Sequence, residues 1–336
     1  MSIESIDKLV EFVTSKFGAG SAMLMSDKAE DLSYVSTGSI EVDEALGGQG
    51  LPLCRLVNFI GKEAAGKTTM AIHVLIECQK MGGRAVLIET EEAFSYDRSE
   101  KMGLDLSKTL IIQPETVEKA FAAIKALTDG ITSKKGEDKP TVIVWDSFSG
   151  TPTKSDIDAD IEASKNSTGA SRSKEVGSHA RVASFNLRHV PSDLVKANCL
   201  LIVIHQIKQN IMVGYGSPDT FLAERPFKFH SSVGLRVARK GNVVEKNEIV
   251  GITSKVKVIK NKVAPPFREC EVDIYFDRGY DRASQLLKKA LLRGIVIRAG
   301  GWLSYKENKF RANEFDKILL DNVDLEKEIL LDGGVK

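Results

Sequence analysis

Several familiar signatures are missing from this chain, and each absence narrows what it can be. Its four cysteines, at positions 54, 78, 199 and 270, show no C-x-x-C spacing. That predicts reduced thiols and excludes a disulfide framework. The histidines, His73, His179, His189, His205 and His230, form no zinc-ligand pattern. The longest apolar stretch, Cys199 to Ile204, is far too short to cross a bilayer. The opening residues, MSIESIDKLVEF, lack the basic segment and long apolar core of a signal peptide. Together these predict a cytoplasmic protein with no membrane partner. Net charge is only +1, so any affinity for nucleic acid must come from local clustering of basic residues.

What is present is a phosphate cradle. Gly61-Lys62-Glu63-Ala64-Ala65-Gly66-Lys67-Thr68 fits G-x-x-x-x-G-K-[ST], with Thr69 directly after it. Glycines at that spacing let backbone N–H groups turn inward around a polyanion. Lys67 can then reach the terminal phosphates, and the Thr68 hydroxyl can ligate Mg²⁺. Leu56 to Ile60 is apolar and predicts a buried strand before the loop. Thr69 to Met81 predicts a helix after it, closed by Gly82-Gly83, whose N-terminus would face the phosphates. An ordinary Gly-rich turn does not need both flanks. The segment implies nucleoside triphosphate binding, with ATP and Mg²⁺ as the expected ligands.

A length of 336 residues suggests one large core with smaller attachments, and 42% apolar with 28% charged residues fits a globular protein. Apolar side chains at Ile6, Leu9, Val10, Phe12, Val13 and Phe17 predict an amphipathic helix over 4–17. A polar stretch, 26–33, separates it from the rest, an arrangement suited to docking on a neighbouring subunit. From Ser36 onward, strands predicted at 56–60, 85–89, 141–146 and 199–205 alternate with helical segments. That alternation predicts an α/β fold with a mostly parallel sheet covered by helices. Longer β-rich runs follow at 231–239, 250–260 and 271–276, then a helix over 281–293 and a small mixed α/β remainder. The expected division is 1–34, 35–280 and 281–336.

Val142 to Trp145 is an apolar strand ending in Asp146, where a metal-holding acid sits beside a phosphate loop. Hydrolysis also needs a group to orient or deprotonate water. The strand 85–88 delivers Glu89, Glu91 and Glu92 to the same edge, and spacing does not choose among them. The strand 199–204 ends in the polar pair His205-Gln206. Gln206 there is either a γ-phosphate contact or a simple strand-end amide. Two long segments follow the later strands. Residues 162–177 are rich in Ser, Gly, Lys and Asn, and 162–190 carries Lys165, Arg172, Lys174, Arg181 and Arg188. Residues 207–226 interleave Lys208, Gln209, Asn210 and Arg225 with Ile211, Met212 and Tyr215. Polar, basic loops with interleaved apolar groups suit a phosphate backbone and its bases.

Ser36-Thr37-Gly38-Ser39, Asp43, Ala45-Leu46-Gly47 and Gly50-Leu51-Pro52 resemble the entry to the ATPase core of bacterial RecA recombinases. The resemblance continues through GKEAAGKTT, IETEEA, VIVWDS, HQIKQNI, GSPDT, KFHSSV, VKVIKNKVAPPF and GGWLSY, nearly to Tyr305. It implies a RecA-like core that forms helical filaments on single-stranded DNA and pairs it with homologous duplex DNA. Within it, Glu91 matches the water-activating glutamate and Gln206 the γ-phosphate switch. Lys260 and Lys262 match lysines that reach the neighbouring subunit's γ-phosphate, an arginine-finger role. Phe229 matches an interface aromatic. Val176, Gly177, Arg181, Ser184, Arg188, Lys208, Gln209, Asn210 and Ile211 match positions implied to hold DNA. Arg239, Lys255 and Lys257 match a secondary DNA site.

The departures concern recognition more than catalysis. The first loop is about ten residues longer than the family's, and Val176 replaces a wedging methionine. Ala223 and Glu224 stand where the family has paired glycines, and Lys208 replaces an arginine. Arg98 occupies the position of the aromatic that stacks on adenine, where a guanidinium can stack instead. The strongly acidic tail seen in bacterial members is not found after Trp302. A ring helicase or translocase on the same core, or an ATP-gated scaffold on single-stranded DNA with little turnover, are the competing readings.

Overall fold

A computed structural model describes residues 5–24, 26, 32–92, 94–131, 139–165, 177–209, 219–322 and 324–330. Contacts divide the chain into two compact units, 1–33 and 34–336. The first holds one helix, α1 (Ile6–Phe17). The Ser5 side chain accepts from the Lys8 backbone N–H to start it, and Gly18 ends it in a conformation that favours glycine. None of its residues is buried, and Ile6, Leu9, Phe12 and Phe17 stand exposed.

The second unit begins with β1 (Tyr34–Val35), α2 (Ile40–Leu46), β2 (Leu51–Pro52) and β3 (Leu56–Gly61). Then come α3 (Lys67–Lys80), β4 (Arg84–Glu89), α4 (Tyr96–Lys101), β5 (Thr109–Ile112) and α5 (Val117–Gly130). β6 (Thr141–Asp146), α6 (Lys154–Lys165), α7 (Ser178–Asn186), α8 (Val190–Lys196) and β7 (Cys199–Gln206) complete the alternating part. The short pair β8 (Lys208–Gln209) and β9 (Asp219–Thr220) precedes α9 (Glu224–His230). A long hairpin of β10 (Val233–Glu245) and β11 (Glu248–Asn261) leads to β12 (Glu269–Tyr275). The chain then forms α10 (Arg282–Leu292), the strands β13 (Ile297–Ala299), β14 (Trp302–Tyr305) and β15 (Asn308–Phe310), and helices α11 (Phe315–Asp321) and α12 (Leu325–Leu330).

The central sheet has eight strands in the order β12-β11-β10-β3-β7-β6-β4-β5. β10 through β5 are parallel, while β11 and β12 extend the sheet antiparallel. Side chains of a strand buried on both faces must divide between two cores. Val57 and Phe59 of β3 enter one core, with α3; Leu56 and Ile60 enter the other. β6 divides likewise, Val142 and Val144 on the first side and Ile143 and Trp145 on the second. Trp145 meets Phe121 and Phe148 edge-on, and its indole N–H donates to the Thr151 hydroxyl at 3.2 Å. Each such side chain contributes on the order of 2 kcal/mol through burial. A third, smaller core gathers α10, α11, α12, β14 and β15 around Leu286, Leu303 and Phe315, and includes Ile40 of α2.

The expected strands are all present within one to three residues at most ends. β5 is an addition: as an edge strand with Leu110 exposed, it carries too little apolar patterning to announce itself. The two long loops need correction. Helix α6 runs through Lys165, so residues 162–165 of the expected first loop are helical. In the second, Lys208–Gln209 pairs with Asp219–Thr220 and α9 begins at Glu224, so both its ends are regular structure.

Candidate functional site

Strand register brings the candidate residues together. Gly61 at the end of β3 pairs with Gln206 at the end of β7, and Glu89 of β4 pairs with Asp146 of β6. The carboxyl ends of four parallel strands thus form one edge, the place where open α/β sheets bind ligands. The glycines are sterically required there. A Cβ on Gly61 would lie 2.2 Å from the Val237 carbonyl oxygen, so β3 could not run this close to β10 with any other residue. Gly66 is left-handed, φ 94°, and no side chain caps the helix α3 that starts after it. The uncapped N–H groups of that first turn suit a phosphate.

Lys67 is buried, and its ammonium donates to the Lys62 carbonyl at 2.6 Å, folding back across the loop. Burial pushes its pKa down, while Asp146, Glu91 and Glu63 oppose that shift. The Thr68 hydroxyl donates to Asp146 Oδ2 at 2.6 Å. Asp146 is pushed up to about 6, first by burial, with Glu91 and Glu89 adding to the shift and Thr68 and Lys67 opposing it. A hydroxyl and a carboxylate side by side are hard oxygen donors of the kind Mg²⁺ takes. A bound cation would also relieve the carboxylate crowding that raises Asp146.

The three acids left open by spacing separate in the fold. Glu89 is buried and structural: one oxygen accepts from the Glu91 backbone N–H at 3.0 Å, the other from Gln113 at 3.3 Å. Glu91 is exposed, and its Oε1 accepts from Ser147 Oγ at 2.6 Å and from Gln206 Nε2 at 3.1 Å. Gln206 therefore has a specific partner and is no idle strand-end amide. The polar pair it forms with His205 is split by strand alternation. His205 points into the core among Phe148, Phe221 and Phe227, where burial, with a small push from Lys67, lowers its pKa to about 3.

A cavity of about 420 Å³ opens from Lys67 and Thr68 past Arg98, Arg239, Ile274 and Phe276. Arg98 donates from Nε to the Phe276 carbonyl at 3.0 Å and from a terminal nitrogen to Thr69 Oγ1 at 3.2 Å. Phe276, which lines the cavity, and Ser147, buried and bonded to Glu91, are residues that sequence reasoning missed. Phe276 ends a strand whose pattern explains it as packing, and Ser147 lacks any motif beyond its adjacency to Asp146.

The basic residues lie elsewhere. α7 starts at left-handed Gly177, φ 92°, and carries Arg181 and Ser184, with Arg188 just beyond its end. Their spacing of three and four places them on one face. Arg181 and Arg188 are exposed, as is Phe185 beside them. Phe185 was unforeseen, since an isolated aromatic on a helix normally signals core. Phe229, at the end of α9, is 75% exposed, and Lys260 donates to its carbonyl and to that of Lys228. His230, beside it, is lowered first by burial and then by Lys262, Arg188 and Lys260, so these cations share one patch. Val176, Asn210 and Ile211 lie outside the described residues, as do the side chains of Lys208 and Gln209.

The grouping of Arg239 with Lys255 and Lys257 does not hold. In the β10–β11 hairpin Arg239 faces Ser254, whereas Lys255 faces Ala238 and Lys257 faces Arg236. Directly paired residues share a face and successive ones alternate. Arg239 therefore lies on the opposite side from the two lysines, one of which pairs with Glu269 at 2.8 Å.

Comparison with known proteins agrees with this arrangement. The family model described as RecA N-terminal domain matches residues 4–281. The protein named Protein RecA from Chloroherpeton thalassium is 37% identical over 95% of this chain and 85% of its own length. Protein RecA of Legionella pneumophila is 35% identical over 91% and 84%. Among solved structures, the RadB recombinase superposes with a TM-score of 0.52 at 20% identity, covering 74% of this chain and 99% of that one, a likeness of fold. With a complete phosphate loop, its partner acid and the Glu91–Gln206 pair on one sheet edge, the chain belongs to the RecA family of ATP-dependent recombinases.

Proposed function

We propose that the cleft binds ATP with Mg²⁺, and that its hydrolysis governs a helical filament of this chain on single-stranded DNA, which then pairs with homologous duplex DNA. The loop from Gly61 to Thr69 would hold the phosphates, with Lys67 against their outer oxygens and Thr68 and Asp146 as ligands to the metal. Mg²⁺, when bound, supplies charge neutralisation across the phosphates. Glu91 has the exposure and position of a base that orients and deprotonates water. The observation that carries the reading is the hydrogen bond from Gln206 to Glu91. It joins the hydrolytic acid to the strand from which the segment 207–226 departs, so nucleotide state and DNA grip share one side chain. The phosphate would compete for that amide, shifting the population toward the gripping state.

The exposed apolar stripe of α1 supports docking on a neighbouring copy. The exposed Lys262 and the half-buried Lys260, which bonds the carbonyl of exposed Phe229, support a reach toward a second subunit's phosphate. Arg181, Ser184 and Arg188 would hold the backbone of the first strand, helped by Val176, Gly177, Lys208, Gln209, Asn210 and Ile211. Lys255 and Lys257 would hold the second DNA molecule. Residues 1–34, 35–280 and 281–336 would serve as polymerisation arm, motor and accessory domain, in the cytoplasm.

The test is ATP hydrolysis with and without single-stranded DNA, using Lys67→Ala as the blank. Stimulation that rises cooperatively with protein concentration is expected, followed by strand exchange without duplex unwinding. Turnover indifferent to DNA would defeat the proposed coupling. Unwinding without exchange would assign the same core to a helicase.

A further inference from the structure

The sequence resemblance placed Arg239 in a DNA site, and the fold removes it from there. Its strand partner Ser254 donates to the carbonyl of Ala65, within the phosphate loop, at 2.8 Å. Arg239 therefore stands on the loop's side of the hairpin and lines the same cavity as Lys67, Thr68 and Arg98. We propose that Arg239 and Arg98 form a donor-lined base pocket in the nucleotide cleft, beside the phosphate loop, which accepts 6-oxo purines as readily as adenine. This rests on the cleft being a nucleotide site.

Two features of the cavity carry it. Its apolar walls, Ile252, Ile274 and Phe276, offer surface to the plane of a base, and about 420 Å³ leaves room for a nucleoside as well as phosphates. Its charged side chains are all cations, since no carboxylate lines it among the described residues. The Arg98 plane is fixed, because two of its N–H donors are engaged by the Phe276 carbonyl and the Thr69 hydroxyl. Arg239 is steadied by donating to the Asn242 side chain. Guanidinium groups match a base edge that presents acceptors, and the N7 and O6 of guanine or hypoxanthine are such an edge. Adenine offers an amino donor at position 6, for which these side chains supply no carboxylate. Nothing on the walls therefore rejects the oxo group, the means by which a pocket would discriminate.

The experiment uses the full chain and a fluorescent ATP analogue with Mg²⁺, displaced by unlabelled ATP, GTP or ITP. Lys67→Ala comes first: unchanged analogue affinity in that variant would mean that the cleft is not the nucleotide site. With that dependence shown, Arg239→Gln is expected to weaken analogue binding about tenfold, the scale of one lost bidentate or stacked guanidinium contact. Lys240→Gln, on the surface of the same hairpin and paired with Glu271, should leave it unchanged. GTP and ITP should displace the analogue within about tenfold of ATP. A loss below about twofold in Arg239→Gln, with its thermal unfolding unaltered, would overturn the assignment of Arg239. A preference for ATP beyond about tenfold would overturn the donor-lined base pocket.

Discussion

At the carboxyl ends of β3, β4, β6 and β7, functional side chains are tied to one another: Thr68 to Asp146, Ser147 and Gln206 to Glu91, Lys67 to the loop it serves. Along α7 and around Phe229, the candidate DNA and subunit contacts stand exposed on separate elements. The difference follows from what each region must do. Phosphoryl transfer needs groups held at fixed distances, which strand ends in strict register supply. A phosphate backbone is a repeating charge, and spaced cations on a surface bind it with little mutual constraint. Substitutions should therefore act in an all-or-none way at the sheet edge and in graded steps on the surface.

Glu91→Gln is the sharpest way to test the first half of that contrast. It keeps an acceptor for Ser147 but removes the base, so turnover is expected to fall by about 10²–10⁴-fold. Nucleotide affinity should stay within about threefold, since ground-state contacts to phosphate remain with Lys67 and the loop. A variant that loses binding as much as turnover would show that Glu91 builds the site rather than working in it. On the other side, Arg181→Ala and Arg188→Ala should each weaken single-stranded DNA binding about tenfold at low salt. Each should also reduce the slope of log affinity against log salt by about 1. Together their effects should add. A double variant that abolishes binding outright, or a slope unmoved by either, would break the comparison.

Legibility in the sequence divides along the same line. The phosphate loop, Asp146 and the main parallel strands could be read because fixed geometry demands fixed spacing. The choice of Glu91 over Glu89 and Glu92 could not, since all three lie within four residues and only side-chain direction separates them. Resemblance supplied that choice, and the Ser147 and Gln206 contacts agree with it. Arg239 shows the reverse. Resemblance grouped it with Lys255 and Lys257, whereas a two-residue period across the hairpin, with an irregularity after Arg239, decides which face each occupies. Phe185 and Phe276 were illegible because an aromatic in an amphipathic segment is ordinarily core.

Burial also takes titratable groups out of water, His205 on β7 and His73 on α3, and that gives a pH dependence. His205 is lowered to about 3 and His73, stacked on Tyr280, to about 4, both chiefly by burial. The unfolded chain takes these protons near pH 6.5 and the folded chain does not, so their contribution is complete above that pH and is lost as pH falls. At pH 5.5 the loss is about 1.4 kcal/mol for each. Asp146 works the other way. Held at about 6, it binds a proton in the folded state first and returns a little under ~1 kcal/mol at the same pH. The net expectation is destabilisation of about 2 kcal/mol between pH 7.5 and 5.5 without nucleotide or metal, read from urea midpoints. An unchanged or higher midpoint at pH 5.5 would mean that the histidines are not buried as described.

The smallest effect compares two left-handed positions, one in each region. Gly66, φ 94°, starts the phosphate helix, and a Cβ there would meet Ile274 at 2.4 Å and Ser254 at 3.2 Å. Ala223, φ 54°, starts α9 within the segment 207–226. An L-residue in this region carries roughly 1–2 kcal/mol of strain, which Ala223→Gly would relieve. Against that stand about 0.4–1 kcal/mol of added unfolded-state entropy and part of a methyl group packed on the core. The terms nearly cancel, so Ala223→Gly should shift stability by no more than about 0.5 kcal/mol in either direction. Gly66→Ala adds the strain and a contact that forces Ile274 to move, and should cost about 2 kcal/mol or more together with nucleotide binding. Equal and small effects at both positions would mean that the sheet edge is no more tightly fixed than the surface, and the contrast between the two regions would fail.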